Sequence, residues 1–81
     1  MSNDEIRALV LQELAKIAPE TDPGQIDAGV DLREQIDLDS MDILNLMIGI
    51  HEATGVEIPE VDYPQLATLD ACVSYLSVRL P

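Results

Sequence analysis

Eighty-one residues carry sixteen acidic side chains against four basic ones, a net charge of −12, with 47% apolar content and two aromatics, Tyr63 and Tyr75. That balance excludes nucleic-acid binding, which rests on Lys and Arg neutralising phosphates, and argues against stable association with an anionic membrane. Cys72 is the one cysteine, so an internal disulfide and a multi-cysteine metal cluster are excluded, and no apolar stretch reaches the roughly 18 residues of a membrane span.

Ser2 and Glu5 stand at capping-box spacing, and Ile6, Leu9, Val10, Leu14 and Ile17 follow at helical intervals. Residues 3–17 therefore read as an amphipathic helix. Pro19, Pro23 and Gly24 stop it. Residues 18–38 form a long acidic connection whose Ile26, Val30, Leu32 and Ile36 should pin it across the helices, with one short turn near 31–35. A connection this long is uncommon in a small domain unless it serves a purpose of its own.

A second helix is predicted from Ser40 to Thr54, with Asp39 as N-cap and Gly55 as its left-handed stop. Residues 60–66 allow only a short, poor helix, since Pro64 cannot donate a hydrogen bond. Thr68 caps a last helix striped by Leu69, Val73, Leu76 and Leu80. The expected fold is all-α: a four-helix bundle with three longer helices, one short third helix and a long loop between the first two. The chain reads as one soluble domain over residues 1–81, a monomer working in the cytoplasm.

At about 100° per residue, the second helix shows two apolar faces. Ile43, Leu46, Met47, Ile50 and Thr54 share one arc, the expected core side. Met41, Leu44 and Ile48 fall opposite, with Ser40, Asn45, His51 and Glu52. One stripe suffices for folding. The other, beside a serine, suggests a docking surface made by Met41, Leu44, Asn45, Ile48 and Glu52. Ser40 itself opens a helix, where unpaired N–H groups point outward and favour an anion. Such a hydroxyl is placed to receive a phosphate.

Asp39-Ser40-Met41-Asp42, preceded by Asp31-Leu32-Arg33-Glu34-Gln35-Ile36, resembles the modification motif and lead-in loop of acyl carrier proteins. Gly55-Val56-Glu57-Ile58-Pro59 is similar to that family's exit from the second helix, and Leu66-Ala67-Thr68-Leu69 through Tyr75-Leu76 to its last helix. The resemblance implies a non-enzymatic carrier for fatty-acid, lipid or polyketide-type synthesis. It would hold acyl groups as thioesters on a 4′-phosphopantetheine arm attached to Ser40. A carrier-protein synthase (a phosphopantetheinyl transferase) would add the arm from coenzyme A, with Asp39 helping to organise Mg²⁺ in that complex. Acyl-transfer and acyl-modifying enzymes would be the other partners. Met47, Ile58 and Leu66 are candidate walls of an acyl cavity between the second and third helices.

Departures from the family pattern are visible. Asp37 stands where glycine is usual, so its backbone must avoid a glycine-only conformation or accept Asp at positive φ. Met41 replaces leucine after the serine, and Asn45, His51 and Ala53 stand where glutamate is common. The acidity has moved into the preceding loop, around a single Arg33. These features suggest a specialised carrier with dedicated enzymes. Two other readings stay open: an aminoacyl or D-alanyl carrier, and an acidic helical adaptor that never bears the arm.

No resident metal site is expected, because an EF-hand frame begun at Asp37 lacks its fifth, sixth and twelfth residues. No catalytic residue is expected either. His51 is three turns from Ser40 and reads as a solvated or docking-face side chain, and Cys72 as a partly buried, inert thiol.

Overall fold

Capping chemistry sets the first helix. In the computed structural model, which describes residues 1–81, α1 spans Asn3–Ile17. Ser2 Oγ accepts from the Glu5 N–H at 3.1 Å, and Glu5 Oε1 accepts from the Ser2 N–H at 2.8 Å. Those bonds favour the carboxylate and hold Glu5 below its ordinary pKa, the backbone bond most of all. Ile6, Val10 and Leu14, one face of α1, are buried.

The long connection packs as part of the structure. A 3-10 turn at Pro23–Gln25 is capped by Asp22, whose Oδ1 accepts from the Gly24 N–H at 2.9 Å. A one-turn helix, α2, follows at Leu32–Gln35, capped by Asp31. Gln35 stitches the connection to itself: Nε2 donates to the Asp27 and Val30 carbonyls at 2.8 and 3.1 Å, and Oε1 accepts from the Asp27 N–H at 2.8 Å. Two backbone bonds tie it to the far end of the chain, Leu32 N–H to the Ala67 carbonyl at 2.9 Å and Asp70 N–H to the Ala28 carbonyl at 3.0 Å. Leu32, Ile36 and Leu38 reach the core. The apolar residues of the loop thus repay its length. Asp37 takes no positive φ, so the missing glycine costs nothing here.

The helix α3 spans Ser40–Thr54 and ends on Gly55, whose φ of 76° is the left-handed stop. The His51 ring is half-buried, and its Nδ1 lies 2.7 Å from the Val56 carbonyl. The ring is thus not freely solvated, as one half of its sequence reading had it: the chain beyond Gly55 offers it a backbone partner.

Residues Glu60–Leu66 form a 3-10 segment with Pro64 inside, the tighter form that tolerates the missing donor over a short run. The last helix, α4, spans Leu69–Arg79, with Thr68 Oγ1 accepting from the Ala71 N–H at 3.0 Å. Its buried residues are Leu69, Cys72, Tyr75 and Leu76, while Val73 and Leu80 are half-buried. The stripe is rotated from the expected one because α4 packs on α1 and also on the 3-10 segment. Cys72 is accordingly fully buried, with Sγ 3.3 Å from the Leu66 carbonyl. The architecture is all helical, its buried apolar side chains form one cluster, and no helix is long and apolar enough to cross a membrane.

Candidate functional site around Ser40

Asp39 and Asp42 cap α3 reciprocally. Asp39 Oδ1 accepts from the Asp42 N–H at 2.8 Å, and Asp42 Oδ2 accepts from the Asp39 N–H at 3.1 Å. Capping is thereby done by the flanking aspartates, and Ser40, the first residue of the helix, is exposed. One oxygen of Asp39 is committed to the cap. The other takes no bond within the chain and suits a metal held jointly with phosphate oxygens.

Ser40 opens onto a groove of about 750 Å³ between α3, α2 and the 3-10 segment. Its floor is apolar and buried, made by Leu32, Met47 and Leu66. Leu44 and Tyr63, both half-buried, add to its walls. Its rim holds Ser40, Met41 and Arg33, all exposed. Two of the three candidate wall residues, Met47 and Leu66, therefore face one space beside the serine. Ile58 does not line it; it packs, half-buried, against the core. Sequence reasoning missed Leu32, Tyr63 and Arg33 as lining residues. Leu32 carried a signal, an isolated leucine in an acidic loop, but nothing local showed that the loop folds over α3.

The residues expected to dock partners divide. Met41 is 60% and Ile48 44% exposed, and Asn45 and Glu52 are exposed as well. Leu44 is half-buried and belongs to the groove wall, so its surface is shared between groove and exterior.

His51 offers Ser40 no base: its ring is engaged with Val56, and eleven residues of helix separate the two by roughly 16 Å. The site has the form of a presented attachment point, a free hydroxyl beside an apolar trough.

Residues 4–76 match the family model described as the phosphopantetheine attachment site. An acyl carrier protein of Campylobacter hominis is 30% identical over 73 residues, covering 90% of this chain and 86% of that protein. The chain belongs to the acyl carrier protein family. An acyl carrier protein of Rubrobacter xylanophilus is 27% identical over 73 residues, covering 86% of this chain and 90% of that one. A mitochondrial acyl carrier protein of Neurospora crassa is 28% identical over 76 residues, covering 94% of this chain but 57% of its own length.

Family membership makes the protein a carrier of covalent 4′-phosphopantetheine, and its role non-enzymatic. It also implies dealings with a carrier-protein synthase and with acyl-modifying enzymes. The residues present fit the group: one exposed hydroxyl at a helix start, room beside it, and an apolar floor within that room.

Proposed function

We propose that Ser40 bears the 4′-phosphopantetheine arm and that the protein, as one carrier domain over residues 1–81, supplies acyl thioesters to fatty-acid, lipid or polyketide-type synthesis. The observation that carries this reading is the exposed Ser40 on the rim of an apolar groove. The arm's thiol would supply the thioester bond. The chain's own contribution is to hold Ser40 outward, offer Asp39 for metal binding in the synthase complex, and shelter apolar cargo over Leu32, Met47 and Leu66. An apolar trough of this size favours acyl cargo over a small charged aminoacyl group. A reducing compartment such as the cytoplasm suits a free thiol arm.

Partners are proposed to land on Met41, Asn45, Ile48 and Glu52, with Leu44 beneath. In this carrier the exposed face of α3 carries two large apolar side chains, Met41 and Ile48, with Glu52 its one exposed carboxylate, and the acidic flank lies in the preceding loop. That distribution points to dedicated enzymes of a specialised pathway.

Incubation with coenzyme A, Mg²⁺ and a broad-specificity carrier-protein synthase, followed by intact-mass measurement, tests the assignment. The expected result is the mass gain of one arm, abolished by Ser40→Ala. No gain, or a gain that survives the substitution, would overturn it.

A further inference from the structure

In a chain with sixteen acidic side chains, three of the four basic ones are accounted for within the fold. Arg7 bridges Asp70 at 3.2 Å and Lys16 bridges Glu13 at 2.9 Å. Arg79 lies over the Tyr75 ring, 3.5 Å from its centroid, and donates to the Tyr75 carbonyl at 2.9 Å. Arg33 differs. Its Nε donates to the Leu38 carbonyl at 3.3 Å, while its two Nη groups meet no carboxylate and make no bond within the chain. Its backbone is fixed, since Asp31 Oδ1 accepts from the Arg33 N–H at 2.9 Å and the preceding Leu32 is tied to Ala67. The Nε bond holds the guanidinium against the carbonyl two residues before Ser40, and both residues form the rim of the same groove.

A guanidinium held there keeps four N–H donors that no group of the chain engages. A phosphodiester on Ser40 is an anion placed between Asp39 and Asp42, in a molecule already at −12. Arginine presents paired N–H groups that match two phosphate oxygens. We propose that Arg33 receives the phosphodiester carried on Ser40 through its Nη groups, and so sets the direction in which the arm leaves the serine over the groove. This rests on Ser40 bearing the arm. Arg33 is thus a positioning residue for the attached group, a role distinct from attachment itself.

The test compares the arm-bearing forms of wild type, Arg33→Ala and Arg33→Lys. Intact mass comes first: a gain in all three is expected, because Arg33 does not make the bond. No gain in wild type would overturn the carrier reading and this inference together. ³¹P NMR then reads the phosphodiester directly. In wild type with a bare thiol arm, rising NaCl should move the phosphorus resonance as the ion pair is screened. Arg33→Ala should lose that salt response, and Arg33→Lys should retain part of it. Equal salt responses in wild type and Arg33→Ala, with full mass gain, would overturn the Arg33 inference alone. Loading wild type with a neutral acyl group or with a dicarboxylic half-thioester separates a second oxyanion source. An Arg33-dependent change that appears only with the carboxylate-bearing cargo would overturn the phosphodiester assignment. Exposure of Arg33 means that both variants should melt as wild type does, and the lysine variant keeps the comparison open if alanine disturbs α2.

Discussion

The Tyr75 hydroxyl donates to Asp62 Oδ2 at 2.7 Å, and this bond fastens the 3-10 segment, which supplies one wall of the groove, to α4. Arg79 lies over the face of the same ring. Tyr75→Phe keeps the ring and removes only the bond, which ends on a charged acceptor. A loss of about 1–2 kcal/mol is expected in urea unfolding. Amide exchange should quicken at Glu60–Leu66 more than in α1, since the segment loses its tether to α4 while α1 keeps its own packing. Equal protection in both proteins would show that apolar packing, including that of Tyr63 and Leu66, holds the segment without the bond.

Where α1 crosses α3, the Glu13 carboxylate fills the place that a side chain at position 49 would take. A Cβ built on Gly49 would lie 2.5 Å from Glu13 Oε1, and the Glu13 side chain is only 10% exposed. Alanine gains about 1 kcal/mol over glycine inside a helix, but here it must push the carboxylate off its seat beside Lys16. Gly49→Ala alone is expected to change stability by less than about 0.5 kcal/mol. In a Glu13→Ala background the same change should stabilise by about 1 kcal/mol. A double-mutant cycle by thermal or urea unfolding measures the coupling, and strict additivity would contradict the seat.

The ends of α1 and α3 were legible because each is marked by residues whose chemistry suits a helix terminus, namely Ser2 with Glu5, Asp39 with its cap, and Gly55 with its left-handed turn. The hydroxyl of Ser40 was legible for the same reason. What stayed hidden depends on contacts distant in sequence. The bonds from Leu32 to Ala67 and from Asp70 to Ala28 are made by backbone atoms, which leave no trace in residue type. Without them nothing shows that α2 brings Leu32 and Arg33 to the groove. The rotated stripe of α4 has a similar origin, because a helical wheel predicts one buried face and α4 has two neighbours. Ile58 is a groove wall only by the family resemblance, whereas the extended exit after Gly55 packs it against the core and out of the groove lining.

Alkaline pH should weaken the fold through α4. Burial pushes the Cys72 thiol up from 9.0 to about 12, because the thiolate is the form that burial penalises. Burial first, and the bond to Asp62 second, raise the Tyr75 phenol as well. A group whose pKa is raised by folding contributes fully below its unfolded pKa and loses that contribution as pH climbs through the folded value. For Cys72 the window runs from 9.0 to about 12, and a shift of that size corresponds to roughly 4 kcal/mol. Cys72→Ala should be less stable than wild type by about 1–2 kcal/mol near neutral pH, from the lost Sγ packing and its bond to the Leu66 carbonyl. Its deficit should shrink or reverse by about pH 11, since alanine has nothing to ionise. Urea unfolding across that range reads both limbs. A deficit that stays constant would mean that the thiol does not titrate with unfolding.

The exposed apolar side chains of α3 separate docking from folding. Met41 and Ile48 stand 60% and 44% exposed, whereas Leu44 is half-buried on the groove wall. Truncating an exposed methionine or isoleucine on a helix removes little burial and slightly favours the helix, so Met41→Ala and Ile48→Ala should unfold within about 0.5 kcal/mol of wild type. If partners land there, the same truncations remove central apolar anchors, each costing more than about 1 kcal/mol of complex stability. That corresponds to roughly a fivefold or greater fall in kcat/KM for modification by the carrier-protein synthase. Leu44→Ala should show the mixed pattern, with about 1–2 kcal/mol lost from the fold as well as slower modification. Wild-type modification rates in Met41→Ala and Ile48→Ala, with unchanged melting, would move the landing surface off this face of α3.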